Sequence, residues 1–281
     1  MKLEKLLPKG GPSINEVNKY IDKYKDDVIV IKCGGSCLLD QTLFNQLIED
    51  IAIVNKLDLK VIIVHGGGKN IKKKLDNENL ETKFIDGLRV TDEKTIKIVE
   101  EALLELNFEF LKHLNNYQAN GYSINPKKNN VIKVNPLRKE LGYVGSPKEI
   151  NKDEILKSIY EKKIPIIVPM GIGEDGKIYN VNADVAAGSI AKELKVRRLL
   201  LMTDVEGVLD ENKKLIPELN SKVAKKMLNE KIISGGMIPK INTCLNAVKD
   251  VKGVAIIDGR KPHSILFELF SDKGAGTLIR K

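Results

Sequence analysis

Short apolar runs rich in β-branched residues alternate along this chain with longer stretches whose apolar positions recur at helical spacing. Residues 28–31, 61–64, 131–134, 164–168, 199–202 and 254–257 read as strands, too short and too β-branched for helices. Between the first two, Leu43, Phe44, Leu47, Ile48, Ile51 and Val54 share one helical face behind Asp40, a suitable N-cap. The same spacing joins Ile96, Val99, Leu103, Leu106, Phe110, Leu111 and Leu114 into a long helix over 92–115. Helices also fit 182–194, 221–230 and 241–250, while 142–145 and 174–177 carry turn chemistry suited to hairpins. Such alternation predicts an α/β fold, a mostly parallel sheet covered by helices. Residues 1–27 stand apart. A Pro- and Gly-rich breaker at 8–12 precedes Ile14, Val17, Tyr20, Ile21 and Tyr24, which predict one amphipathic helix, an appendage to the sheet.

Length and composition narrow the function classes. At 281 residues, 42% hydrophobic and 30% charged, the chain suits one large or two modest globular domains. The net charge of +9 suggests a polyanion partner, yet the lysines are scattered among acidic residues and there is no Trp, so nucleic acid is disfavoured. Three cysteines supply no disulfide framework and imply a reducing compartment. Cys33 and Cys37 have no third ligand near them in sequence, so they read as small buried or loop residues rather than a metal pair. No run reaches membrane-spanning length, and the first 27 residues lack a signal core and are too acidic for a transit peptide. The expected location is the cytoplasm, with no membrane contact.

The candidate chemistry lies in glycine-rich turns. Lys32 ends the first apolar run and opens Gly34-Gly35-Ser36, His65-Gly66-Gly67-Gly68 follows the second run, and Lys240 follows Gly235-Gly236-Met237-Ile238-Pro239. Glycine turns let backbone N–H groups crowd around an anion, a following helix adds its positive end, and lysine adds a compact full charge. That combination suits a phosphoryl group in transfer, where positioning and charge neutralisation do most of the catalysis. Gly66-Gly67-Gly68 is not the dinucleotide-binding Gly-x-Gly-x-x-Gly, which disfavours a dehydrogenase.

These segments, together with Asp86-Gly87-Leu88-Arg89-Val90-Thr91-Asp92, Tyr179-Asn180-Val181-Asn182-Ala183-Asp184, Thr203-Asp204-Val205-Glu206-Gly207-Val208 and Gly274-Ala275-Gly276-Thr277, occur in the order found in the amino acid kinase family. The chain resembles that family from about residue 28 to its end, and within it the arginine-sensitive members that phosphorylate N-acetyl-L-glutamate. The resemblance implies a three-layer α/β/α sandwich with a largely parallel central sheet. It implies an N-lobe over 28–195 for acetylglutamate and phosphoryl transfer, a C-lobe over 196–281 for the nucleotide, and a helical extension over 1–27 for oligomerisation or regulation. The implied reaction transfers the γ-phosphoryl group of ATP, carried with Mg²⁺, to the side-chain carboxylate of N-acetyl-L-glutamate. This gives N-acetyl-L-glutamyl 5-phosphate and ADP, the second step of arginine biosynthesis. A carboxylate acceptor is already ionised, so no general base is required. His65 is expected only to shape its loop through a backbone contact.

By the same resemblance Lys32 and Lys240 bracket the transferring group, and Asp184 fixes both ammonium groups, with capping of the helix near Ala183 as a second role. Gly34, Gly35 and Ser36 offer N–H groups to phosphate oxygens. Thr203, Asp204, Gly207, Gly236 and Met237 belong to the nucleotide side, Asp204 facing ribose, water or the hydration shell of Mg²⁺, with no direct protein ligand to the metal. Gly67 and Gly68 bind the acetylated amino acid through the backbone, Arg89 its α-carboxylate, and Asn180 its acetamido or carboxylate group. Asn182 supports the site or forms a plain turn. Tyr20, Glu268 and Gly274 form a candidate site for inhibitory L-arginine, and the first helix is expected to join dimers into a hexamer. A nitrogen-signalling protein is a further candidate partner. The rival readings are another kinase of the family acting on a carrier-bound carboxylate, and a non-catalytic regulatory module binding arginine or nucleotide.

Overall fold

All six apolar runs become strands, but they do not all enter one sheet. The computed structural model describes residues 3–281, so residues 1 and 2 of the expected extension lie outside the described residues. The chain runs α1 (Ile14–Tyr24), β1 (Val28–Cys33), α2 (Gln41–Lys56), β2 (Lys60–His65), α3 (Gly68–Asn77), the hairpin β3 (Phe84–Ile85) and β4 (Leu88–Arg89), α4 (Glu93–Asn116), β5 (Gly121–Ile124) and α5 (Pro126–Asn129). It continues through β6 (Ile132–Pro136), β7 (Gly145–Ile150), α6 (Lys152–Tyr160), β8 (Ile164–Ile167), β9 (Met170–Ile172), β10 (Ile178–Asn180) and α7 (Ala183–Glu193). The remainder forms β11 (Arg198–Thr203), β12 (Glu218–Asn220), α8 (Ser221–Asn229), α9 (Met237–Ala247), β13 (Val254–Asp258), α10 (Ser264–Phe270) and β14 (Gly276–Arg280).

The main sheet has eight strands in the order β12-β14-β13-β11-β1-β2-β8-β5, and every pairing is parallel except β13 with β14. Its central strands are apolar on both faces because both faces are covered. Ile29 and Ile31 of β1 pack with Ile48, Ile51, Phe110 and Leu266 from α2, α4 and α10, whereas Val30 packs with Ala187, Ile190, Ile241 and Cys244 from α7 and α9. The result is the expected three-layer α/β/α sandwich. The run at 131–134 leaves this sheet. As β6 it joins a four-stranded sheet, β10-β9-β6-β7, antiparallel to β7 and parallel to β9, with Ile132 and Val134 inward and Lys133 outward, the alternation of a half-solvated strand.

The first helix is more than an appendage. Ser13 and Glu16 form a capping box at its start, and the face opposite the solvent buries Val17 and Tyr24 in the same core as α2 and α10. Tyr24 meets Phe270 edge-on, with ring centroids 6.3 Å apart. α9 starts at Met237, four residues before the expected 241, because Pro239 sits in the first turn, where its missing N–H has no helical partner to lose. Among the described residues no helix is long and apolar enough to cross a membrane, and Cys33, Cys37 and Cys244 are free and buried.

Candidate active site

The carboxyl ends of β1, β2 and β11 and the amino ends of α3, α7 and α9 carry the glycine-rich motifs, the usual crevice position in an open parallel sheet. Lys32, the penultimate residue of β1, is buried, and its side chain folds back over Gly34, where any Cβ would strike the ammonium group. Gly35 then takes a positive φ of 89° that turns the chain into Ser36. Asp184, on the first turn of α7, receives both candidate lysines. Lys32 Nζ lies 2.9 Å from its Oδ1 and Lys240 Nζ donates to its Oδ2 at 2.7 Å. Burial opposes ionisation of Asp184, but the two ammonium groups outweigh it and hold the carboxyl at about 2. Burial and the neighbouring Lys32 lower the pKa of Lys240. Two cations sharing one buried anion leave a net positive centre, which favours an incoming anion.

Asp184 does not cap α7. That role falls to Asn182, whose Oδ1 accepts from the Asp184 and Val185 N–H groups at 2.9 and 3.2 Å. The carboxylate of Asp184 is thereby left to the lysines.

A cavity of about 360 Å³ opens from this cluster and is lined by Lys32, Gly34, Gly35 and Asp184 together with Gly67, Gly68, Arg89, Asn180 and Asn182. Arg89 is delivered by a two-residue hairpin turn in which Asp86 and Gly87 both have positive φ, 51° and 77°, the requirement of a type I′ turn. Its guanidinium donates to Thr82 Oγ1 and the Gly68 carbonyl, each at 3.0 Å, and lies 4.9 Å from the centre of the Phe84 ring. Arg89 is buried, and burial lowers its pKa; among the described residues no carboxylate pairs with it. Thr82 and Phe84 went unread in the sequence, the only signal being their place just before the Asp-Gly turn.

His65 is fully buried and stacked on Phe110, and burial lowers its pKa to about 4. The Asn107 amide donates to its Nε2 at 3.1 Å, which leaves the proton on Nδ1 for the Gly66 carbonyl at 2.9 Å. It is a neutral loop-shaping residue, as the sequence suggested.

At the carboxyl end of β11, Asp204 reaches over the glycine turn that follows β1. Its Oδ1 accepts the Ser36 N–H at 2.6 Å, and Gly35 must lack a side chain because a Cβ would collide with the same oxygen. Burial acts against ionisation of Asp204, while hydrogen bonds from Ser36 and Lys69 lower its pKa overall. Lys69, not singled out in the sequence, donates to Ser36 Oγ at 2.9 Å and to Asp204 Oδ2 at 3.3 Å. Thr203 ends β11, and Gly236 and Met237 open α9 one turn before Lys240, but none of the three lines the cavity. Gly207 is also outside it, packed against Thr277, which bridges Val208 N–H and the Ile216 carbonyl.

Tyr20, Glu268 and Gly274 converge on a separate cavity of about 210 Å³ between α1, α10 and the segment before β14. Tyr20 donates its hydroxyl proton to Asp272, and Glu268 accepts the Ala275 N–H at 2.9 Å while burial raises its pKa. Arg198 and Lys23 line the same space.

The family model described as "Amino acid kinase family" matches residues 27–258. An acetylglutamate kinase of Pelagibacter ubique (strain HTCC1062) is 53% identical over 281 residues, covering 100% of this chain and 98% of its own. That of Campylobacter fetus subsp. fetus (strain 82-40) is 42% identical over 264 residues, 93% and 94% of the two chains. Among solved structures, an N-acetylglutamate synthase from Neisseria gonorrhoeae, complexed with coenzyme A and N-acetyl-glutamate, superposes with a TM-score of 0.86 at 21% identity. The match covers 96% of this chain but only 64% of the synthase. A carbamate kinase from Giardia lamblia bound to AMP-PNP gives 0.68 at 17% identity, covering 91% and 98%. These two likenesses concern the fold alone; the family model and the two close relatives, each aligned along most of this sequence, decide that the chain belongs to the amino acid kinase family.

Proposed function

We propose that this chain is an ATP-dependent kinase for N-acetyl-L-glutamate, forming N-acetyl-L-glutamyl 5-phosphate and ADP in arginine biosynthesis. The observation that carries the reading is one cavity lined both by Lys32 and Asp184, the latter holding Lys240 on its other oxygen, and by the buried Arg89 guanidinium, which among the described residues has no carboxylate partner. Arg89 suits the α-carboxylate of the substrate, with Asn180 and the Gly67 and Gly68 backbone orienting its acetamido group. The side-chain carboxylate then faces the lysines. One of its oxygens attacks the γ-phosphorus, the bond to the bridging oxygen of ADP breaks, and Lys32 and Lys240 offset the negative charge that separates attacker from phosphate. Asp184 fixes the ammonium groups, and Gly34 and Gly35 offer N–H groups to the phosphoryl oxygens.

Mg²⁺ enters on the ATP phosphates, whose charge it partly neutralises. Both oxygens of Asp184 are engaged by lysines, whereas Asp204 lies at the loop and suits the hydration shell of the metal. Residues 28–195 then serve acetylglutamate and 196–281 the nucleotide, with Thr203, Gly207, Gly236 and Met237 toward the nucleoside. The enzyme acts in the cytoplasm as a homo-oligomer, a dimer or a hexamer built as a trimer of dimers, with a nitrogen-signalling protein as a candidate regulator. L-Arginine fits the cavity at Tyr20, Glu268 and Gly274, its guanidinium toward Glu268 and its carboxylate toward Arg198 or Lys23. A coupled ADP-release assay comparing N-acetyl-L-glutamate, glutamate, aspartate and carbamate tests the assignment. Turnover confined to the first supports it, and no turnover with the first refutes it.

A further inference from the structure

Lys69 breaks a local rule with no structural return. It is the second residue of α3, where the positive end of the helix disfavours a cation, and no acidic residue shares that first turn. Its ion pair with Asp204 spans 3.3 Å with the lysine side chain 50% exposed, a kind of contact that contributes little to stability. Yet the ammonium group is aimed at one point, the glycine turn that follows Lys32.

At that point sits a carboxylate in the position of an anion ligand. Asp204 Oδ1 occupies the Ser36 N–H at 2.6 Å, in space that the missing side chain of Gly35 leaves open. Lys69 approaches the same group through Asp204 Oδ2 and the adjoining Ser36 hydroxyl at 2.9 Å. A backbone N–H, a hydroxyl and an ammonium group thus converge on one anionic oxygen pair beside the cavity, which Gly35 and Lys69 line. This donor set matches a phosphate oxygen as well as it matches a carboxylate.

We propose that Lys69 is a third phosphate-binding cation of the site, held by Asp204 until nucleotide arrives and then contacting the terminal phosphates of ATP directly. The proposal rests on the kinase reading above. It differs from the roles of Lys32 and Lys240 in geometry, because Lys69 comes from the rim and is half-exposed, whereas those two are buried around Asp184. Its flexible stem allows it to follow an incoming phosphate without movement of the backbone.

The test compares wild type with Lys69→Met and Lys69→Arg by steady-state kinetics, and by calorimetric binding of AMP-PNP and of AMP. Lys69→Met is expected to lower kcat/KM for ATP by roughly tenfold or more while KM for N-acetyl-L-glutamate stays within about twofold. AMP-PNP binding should weaken, AMP binding should stay unchanged, and Lys69→Arg should recover part of the loss. A Lys69→Met enzyme matching wild type in kcat/KM for ATP and in AMP-PNP affinity overturns the proposal. So does an equal loss toward both substrates with a lowered melting temperature, which would mark Lys69 as structural. Wild type that binds AMP-PNP yet fails to turn over acetylglutamate refutes the kinase reading instead, and the binding comparison still reads Lys69.

Discussion

Lys240 and Asp184, 56 residues apart in the chain, meet at 2.7 Å because the amino ends of α9 and α7 lie side by side beneath one face of the sheet. With Lys32 on the other oxygen of Asp184, the two ammonium groups are set before any ligand arrives. Preorganised charge of this kind acts on the transition state more than on the ground state. Lys32→Met or Lys240→Met should therefore lower kcat by on the order of a hundredfold or more with a smaller change in KM. Steady-state rates decide it, and a near-normal kcat in either variant would remove that lysine from the clamp.

Arg89 keeps a planar fork in a buried space with two of its N–H groups committed to Thr82 and Gly68. Arg89→Lys retains the charge and loses the fork, so KM for acetylglutamate should rise by roughly tenfold while KM for ATP changes little. Parallel rises in both constants would point to a damaged fold.

The depressed pKa of Asp184 makes a statement about acid stability. Its carboxyl falls from 3.8 to about 2, so the ionised form is favoured in the folded enzyme. The stabilisation, on the order of 2 kcal/mol, is fully present above pH ~4 and is lost as pH falls through about 2. Thermal melts between pH 5 and 2 should fall more steeply for wild type than for Asp184→Asn. Equal slopes would show that Asp184 is not held by the lysines in solution.

The cavity at Tyr20, Glu268 and Gly274 predicts inhibition by L-arginine that weakens in Glu268→Gln. Deleting residues 1–26 is a poor probe of this site, because it strips Val17 and Tyr24 from the core and exposes Phe270. Inhibition curves for wild type and Glu268→Gln, with light scattering to follow assembly, test the site. Undiminished activity of wild type in millimolar arginine would refute the regulatory reading and spare the kinase assignment.

Sequence legibility followed burial. β1, β2, β11 and β13 announced themselves because two covered faces demand unbroken apolar runs. β5, β12 and β14 did not. They lie at or near the edges of the sheet, where a segment such as Gly121-Tyr122-Ser123-Ile124 needs only one inward residue. The glycine turns marked Lys32 and Lys240 as chemistry, but nothing in their spacing joined them to Asp184; the resemblance did, and the parallel sheet supplies the physical cause. Lys69 was lost among Lys72, Lys73 and Lys74 on the same helix, since a lysine aimed at a site and a lysine in solvent are spelled alike.

His65 is neutral, locked on one tautomer by Asn107 and the Gly66 carbonyl, and Asp184 is ionised throughout the neutral range. Neither group has a proton to give or take at the pH where the enzyme works. A carboxylate acceptor has none to lose either. The transfer is then a traffic of phosphorus and charge alone, and replacing water with heavy water should leave the rate of the chemical step nearly untouched.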